Sequence, residues 1–477
     1  MTRENQGQRE AFKTCPSVAE AGKDGWTRRR MLQGTVAGLA AVSIVPRDVL
    51  GGPGQEPPSE RPRLAGVGVG GVGFGHVQAC ERAGFDVAVL CDVDDLYAKR
   101  AYDKWPQARR YRDFREMLDA EGDKIDAVYC GTPDHTHTVI TLAALRKKKH
   151  VCCVKPLTRT VAECRAVVRA AAEAGVATQV TASPNTSEAG CRTCELIWAG
   201  AIGDVREVHI WSNRPLWPQG MLRPPGEGQV PSTLDWGLWI GPAPMRPFVA
   251  QWPDGHLALA QVPSGRPPKA VYHPWNFRGW WDFGTGALGD MGCHHLNTPF
   301  RALKLEHATG IQATATRVLE ETAPLASIVS YDFPAREEMP PVRVIWYDGG
   351  LKPPAPLGME GKPLPAEGIL YVGDQGKMLR SEIIPSSRAK QFENVPRTLP
   401  RRPGTWGEWM EACRGGEPAG CSFDWAGLLT EFVLLGNIAI RTGKQLQWDS
   451  ENMRFTNDGD ANGQLNPPYH NGWSFES

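Results

Sequence analysis

One glycine-rich turn between two apolar runs restricts the fold of this chain more than any other feature. Leu64-Ala65-Gly66-Val67-Gly68-Val69 is a short apolar run that fits a buried strand. It passes into Gly68-Val69-Gly70-Gly71-Val72-Gly73, with glycine at the first, third and sixth positions. In a strand–turn–helix unit the first glycine permits the tight turn and the second lets a pyrophosphate approach the backbone. The third lets the helix pack close to the strand. In a chain with 52 glycines such a pattern is weak by itself; its place between a strand and a helix gives it weight. A helix is expected from about Phe74 to Ala83, stopped by Gly84. Val87-Ala88-Val89-Leu90-Cys91 is a second buried strand, ending at Asp92.

Asp92 lies 19 residues beyond Gly73, where an acid meets the adenine-side ribose hydroxyls of a dinucleotide. A carboxylate there favours NAD and repels the 2′-phosphate of NADP. The alternation continues with a helix over Arg112–Ala120 and a strand over Ile125–Cys130. A helix over Thr138–Leu145 and a strand over His150–Val154 follow. A capping box, Thr160-x-x-Glu163, opens a helix that stops before Gly175, and Val176–Val180 is another strand. Repeated βα units predict a doubly wound parallel sheet whose ligands bind beyond the strand C-termini. Gly68–Gly73, Thr132–His137 and Lys155-Pro156 all fall there. Gly68, Gly70, Gly73, Asp92, Thr132, Pro133, His137 and Lys155 are therefore the cofactor-binding candidates.

Further along the pattern changes. A helix is expected over Glu188–Trp198, and short strands such as Ile328–Tyr331 and Val342–Trp346 suit an antiparallel sheet. Helices are expected over Trp406–Arg414 and Ala426–Arg441. The expected organisation is a leader and linker over 1–60, a Rossmann domain over 61–182, and an α+β domain with a large, mostly antiparallel sheet over 183–477.

The leader reads as an export address. Polar residues precede Thr27-Arg28-Arg29-Arg30-Met31-Leu32-Gln33, and a mild apolar run follows from Thr35 to Val45. That run falls short of the roughly 20 residues that span a bilayer. The adjacent arginines resemble a twin-arginine signal, which predicts an exported, periplasmic protein; without a working leader the location is cytoplasmic. No clean cleavage site appears near Pro46, so a membrane tether could arise through the leader alone. The 53 Lys and Arg balance the 53 Asp and Glu, which argues against a nucleic-acid partner.

One stretch of the second half carries candidate chemistry. In Trp280-Trp281-Asp282-Phe283-Gly284-Thr285-Gly286-Ala287-Leu288-Gly289-Asp290-Met291-Gly292-Cys293-His294, a glycine-rich turn leads into a helix. Asp290 and His294 are four apart and share a helical face. A carboxylate beside an imidazole can orient it, and a His near neutral pKa suits the base that takes an alcohol proton.

Together these features resemble the Gfo/Idh/MocA oxidoreductase family from about residue 62 to the end. The resemblance implies a Rossmann domain joined to a substrate domain, NAD as cofactor, and a sugar or polyol as substrate. It also implies a homo-oligomer formed through the open sheet. It assigns catalysis to Lys155, Asp290 and His294, which match the family's Glu-Lys-Pro lysine and Asp-x-x-x-His pair, and brings His137 near the nicotinamide. Two departures stand out. Val154 occupies the position of the motif's Glu, and Thr181-Ala182-Ser183-Pro184-Asn185 replaces a Gly-Asn-Gln-Gly-His run, with Asn185 as a partial substitute. A sugar-binding paralogue with little turnover is therefore an alternative, as is a glycoside-cleaving or epimerising enzyme that uses bound NAD.

Other readings weigh less. His135 and His137 with His294 and His295 could look like a zinc site, but no regular Cys/His spacing supports a metal. Cys191-x-x-Cys194 reads as packed thiols, and Cys293 as a small residue near the cofactor. Most of the tryptophans between 211 and 281 suit core packing, with Trp280 and Trp281 the expected cleft residues. Tyr272–Arg278, polar and aromatic, is expected to complete the pocket.

Overall fold

A computed structural model describes residues 60–475 apart from 262–268, 358 and 360–362. The arginine leader and its apolar run lie outside the described residues. The described chain opens with β1 (Arg63–Val67), α1 (Gly71–Ala83), β2 (Asp86–Cys91), α2 (Asp95–Lys104), β3 (Arg109–Tyr111) and α3 (Phe114–Glu121). β4 (Ala127–Cys130), α4 (His137–Arg146), β5 (His150–Cys153), α5 (Val161–Ala174) and β6 (Thr178–Val180) follow. The six strands form one parallel sheet in the order β3-β2-β1-β4-β5-β6. That is the doubly wound order, and its direction reverses between β1 and β4, where a crevice opens.

Local chemistry explains the elements. β4 is buried along its whole length, as both faces of a parallel sheet are covered by helices. The α5 capping box is complete: Glu163 N donates to Thr160 Oγ1 at 3.3 Å and Thr160 N to Glu163 Oε2 at 2.8 Å. Gly84 closes α1 at φ 113°, in the left-handed region. The helix α1 begins at Gly71, three residues before the expected start. Glycine propensity disfavours those positions, but a Cβ on Gly73 would overlap the Gly68 carbonyl, so close packing decides them. The sequence reading placed nothing over α2, whose surface is polar; its start is set by Asp94, which accepts from Leu96 N and Tyr97 N.

The second half contributes α6 (Glu188–Trp198), β7 (Val205–Trp211), α7 (Gly286–Leu303), β8 (Gly310–Ala315), β9 (Ser327–Phe333) and β10 (Val342–Tyr347). β11 (Gly368–Gly373), β12 (Lys377–Leu379), β13 (Glu382–Ile384), α8 (Thr405–Cys413), α9 (Phe423–Thr442), β14 (Leu446–Asp449) and β15 (Arg454–Phe455) complete it. Nine strands pair in the order β13-β12-β11-β7-β10-β9-β8-β14-β15. Only β7 and β10 run parallel; the other neighbours are antiparallel. The helix α9 is long and apolar enough to cross a membrane, yet 83% of that stretch is buried inside the protein, against α5, α7 and β8. It is a core helix. One apolar core runs from the Rossmann half (Met117, Val128, Leu145) into the second half (Leu296, Val344, Val433).

Between β7 and α7 a long segment with little regular structure builds its own aromatic cluster. It reaches across the Rossmann crevice, where Asp235 N donates to Val93 O at 2.8 Å and Asp95 N to Thr233 O at 3.0 Å. This segment overturns one expectation. Trp280 (1% exposed) and Trp281 (7%) are packed inside, Trp280 against Trp252 and Tyr272 with Nε1 donating to Val271 O. Adjacency to a glycine-rich turn did not make them cleft residues.

Candidate active site

The glycine-rich turn and the Asp290 helix meet in one cavity of about 300 Å³. At its nucleotide end Gly68 has φ +75°, and a Cβ there would stand 2.7 Å from the Gly131 and Thr132 backbone. Only glycine fits. The helix α1 carries no side-chain cap, so its first N–H groups remain for an anion. Asp92, at the end of β2, is buried and accepts from Val69 N at 2.9 Å and Gly70 N at 3.1 Å through Oδ2, and from Asp94 N through Oδ1. Burial raises its pKa, opposed by these N–H groups and by His273. It therefore shapes the turn as well as lining the cavity. The Tyr97 ring lies against Gly70 and Gly71, in the space their missing Cβ atoms leave.

Thr132 and Pro133 line the same cavity. His137 does not. It is fully buried, with Nδ1 2.8 Å from Pro156 O and Nε2 2.8 Å from Thr132 O. It staples the loop after β4 to the loop after β5 instead of facing the cofactor space. His135 is buried in the same way between Phe283 O and Trp239 O. The segment between β4 and α4 forms a 3-10 turn over Asp134–Thr136.

At the other end Lys155 follows β5, and Asp290 and His294 project from α7. Lys155 Nζ is 2.5 Å from Asp290 Oδ1, and Arg278 Nε is 3.0 Å from the same oxygen. Burial disfavours the charge on Asp290, but Lys155 and Arg278 outweigh it and hold the carboxyl well below the usual range. Asp290 is thus engaged by two cations, and the hydrogen-bond partner of His294 is Ser183: Oγ stands 3.1 Å from Nδ1. In place of the expected Asp–His pairing, Asp290 pairs with the two cations and His294 with Ser183. Burial, then the Lys155 charge, lowers the His294 imidazole to about 3, so it is neutral at physiological pH.

The altered stretch after β6 contributes in part. Ser183 holds His294 and Thr181 lines the cavity. Asn185 is buried on Asn297 Oδ1 and takes no place there. Val154 lines the cavity as an apolar wall. From the Tyr272–Arg278 segment, His273, Pro274, Trp275, Phe277 and Arg278 line it, while Tyr272 and Asn276 turn inward. His76 on α1 also lines it, with Nδ1 2.9 Å from Tyr129 Oη and its pKa lowered to about 4 by burial and Lys155. Sequence reasoning gave no role to His76 on α1 or Tyr97 on α2, because a helix face carries no local mark of what it will meet across the crevice. Burial pushes the Cys293 thiol up to about 12, far from a nucleophile's range, and Cys191 and Cys194 are buried free thiols. Among the described residues no three His, Cys, Asp or Glu side chains gather as a metal-ligand set.

Residues 63–182 match the model of the Gfo/Idh/MocA oxidoreductase family, described as an NAD-binding Rossmann fold. An inositol 2-dehydrogenase of Mycolicibacterium smegmatis is 40% identical over 116 residues, 24% of this chain and 33% of that protein. The chain spans about a third of the length of the curated relatives it matches. Among solved structures, the WlbA dehydrogenase from Bordetella pertussis, in complex with NADH and UDP-GlcNAcA, superposes with a TM-score of 0.54 at 15% identity. The match covers 82% of this chain and 99% of that one. An aldose-aldose oxidoreductase from Caulobacter crescentus, complexed with glycerol, gives 0.50 at 16% identity, covering 82% and 100%. These likenesses extend the shared fold through the second half.

Proposed function

Since residues 63–182 are an NAD-binding Rossmann domain of the Gfo/Idh/MocA oxidoreductase kind, we propose that the protein is an NAD-dependent oxidoreductase of a sugar or polyol. The observation that carries this reading is a single cavity with the glycine turn and Asp92 at one end and Lys155, Asp290 and His294 at the other. The residues fit the cofactor: the turn tolerates no Cβ at Gly68, α1 is uncapped, and the Asp92 carboxylate suits an unphosphorylated ribose. The cation that lines this end, Arg112, is paired with Asp95 at 3.1 Å, which disfavours NADP.

Bound NAD supplies the acceptor for the hydrogen and two electrons of the carbinol carbon. The chain's own residues manage the oxygen. Lys155 donates to it and stabilises its developing negative charge. His294, with Nδ1 on Ser183, offers Nε2 to the hydroxyl proton. A hydroxyl between Lys155 and His294 draws the lysine's charge toward itself, which relieves the imidazole of one cause of its low basicity. Asp290 orients a second hydroxyl.

Export through the arginine leader is part of the proposal. No nicotinamide pool is expected outside the cytoplasm, so the cofactor is loaded before export, retained, and regenerated in place. Retention draws support from the chain that closes over the adenosine end. The 233–235 segment bonds to the β2–α2 loop, and Trp473 lines the cavity 6.0 Å from the Phe114 ring. A retained cofactor favours closed cycles: oxidising one sugar while reducing another, epimerisation, or transient oxidation that enables cleavage of a glycosidic bond.

The test is the nicotinamide absorbance and fluorescence of the purified protein, before and after candidate sugars. Bound cofactor whose redox state follows sugar addition, and does not in Lys155→Ala, is expected. A preparation that never holds cofactor defeats the redox reading, and sugar binding without redox change points to a binding paralogue. Release of an aglycone without accumulation of reduced cofactor identifies the glycoside-cleaving variant.

A further inference from the structure

Two cations share one carboxylate oxygen in this site, although one suffices to pair a single negative charge. They are held differently. The Arg278 guanidinium is fixed: Nη1 donates to Trp275 O at 3.1 Å, and the group lies 4.2 Å from the Trp275 ring centre and 4.6 Å from that of Phe277. Trp275 has φ +92°, a backbone conformation that a tryptophan adopts only where its surroundings impose it. Lys155, by contrast, reaches Asp290 on a flexible four-carbon stem that ends in a rotatable ammonium.

We propose that Arg278 is a positioning residue of the reaction: it anchors the Asp290 carboxylate, so that Lys155 can turn from Asp290 to the substrate oxygen without leaving a buried charge unpaired. This rests on the oxidoreductase reading above. The Asp290 side chain is 13% exposed, and an unpaired charge at that depth is strongly destabilising. With Lys155 as its sole partner, Asp290 would hold the lysine captive. With Arg278 in place the ion pair persists while Lys155 changes partner, and Asp290 Oδ2 is left to accept a substrate hydroxyl. Among the described residues no other group near Asp290 supplies a fixed cation. His294, one turn along α7, and His76, from α1, are both neutral at physiological pH, and Asp134 is an acid buried on Thr285 Oγ1.

Arg278→Gln and Arg278→Lys test the anchor, each purified with its cofactor content and near-ultraviolet circular dichroism recorded. In Arg278→Gln, kcat is expected to fall between about tenfold and a hundredfold with KM little changed. The acid limb of its pH profile moves to higher pH, and Arg278→Lys recovers part of both. Aspartate labelled with 13C at the side-chain carboxyl reads the anchor without turnover. The resonance lost in Asp290→Asn is Asp290, and its titration midpoint rises in Arg278→Gln. An unmoved midpoint with a wild-type kcat in folded, cofactor-loaded Arg278→Gln overturns the proposal. If Arg278→Gln does not fold, Arg278→Lys reads the same two quantities, and no change in either overturns it. A wild type that turns over no sugar or polyol while the midpoint still moves defeats the oxidoreductase reading and leaves the anchor standing. Turnover with an unmoved midpoint defeats the anchor alone.

Discussion

Ser183 Oγ stands 3.1 Å from His294 Nδ1, and through this contact the loop after β6 meets the helix that carries the acid–base candidates. The serine hydroxyl can donate to or accept from Nδ1, so the contact fixes the orientation of the ring in either tautomer. Ser183→Ala removes that orientation. The expected result is a kcat lower by roughly five- to tenfold, the equivalent of about one hydrogen bond, with cofactor content unchanged. Wild-type kcat in a cofactor-loaded Ser183→Ala would show that the serine does not orient His294.

The tryptophans separate packing from recognition. Trp280 is fully buried, with ring contacts to Trp252 and Tyr272. Trp280→Ala is expected to destabilise the fold by about 3–5 kcal/mol. Trp275 lines the cavity, and Trp275→Ala is expected to raise KM for the sugar while costing little stability. Denaturant melts and steady-state kinetics on both variants decide this; the opposite assignment, stability loss at 275 and KM at 280, would refute it.

Three histidines, one fully buried and two partly buried, make stability depend on pH. Burial lowers His135 and His294 to about 3 and His76 to about 4, against 6.5 for an unperturbed side chain. Between those values the unfolded chain binds more protons than the folded one, so stability rises with pH across the window. The contribution is full above about pH 6.5 and is lost as pH falls toward 3. Each histidine adds a slope of about 1.4 kcal/mol per pH unit inside it. His135 is bonded to two backbone carbonyls and lies outside the reacting group, so His135→Gln is expected to reduce the slope by about one histidine's share. Denaturation midpoints that do not change between pH 7 and 4.5 would contradict the assignment.

What could be read in the sequence was local. The Gly68–Gly73 turn, the Thr160–Glu163 box and the glycine stops are decided within a few residues, and those segments form the elements expected of them. The four-residue spacing of Asp290 and His294 likewise places them on one helix. Their partners are a different matter. Ser183 reaches His294 from 111 residues away, which no local spacing encodes, and Arg278, whose segment was expected in the pocket, meets Asp290 across an irregular turn that gives no periodic sign of the pairing. The resemblance brought His137 near the nicotinamide, whereas in the structure its two ring nitrogens are taken by Pro156 O and Thr132 O. Asn185 was misplaced because burial on Asn297, 112 residues away, outweighs the polarity that suggested a ligand.

The Tyr97 ring lies over the Gly70–Gly71 backbone, the surface that a pyrophosphate must approach. Its neighbour is His273, whose ring centre is 5.0 Å away and whose Nε2 is 3.0 Å from Asp94 Oδ2. For a dinucleotide to seat on this backbone the ring has to swing off the turn. Tyr97→Ala leaves the glycine turn and Asp92 in place and removes this obstacle. Cofactor stripped from the protein under mild denaturant and returned to Tyr97→Ala is expected to rebind several-fold faster than to the wild type. Because the ring no longer closes behind the cofactor, dissociation is faster as well. Stopped-flow quenching of tryptophan fluorescence measures both rates, and an association rate equal to that of the wild type would show that Tyr97 does not gate the turn.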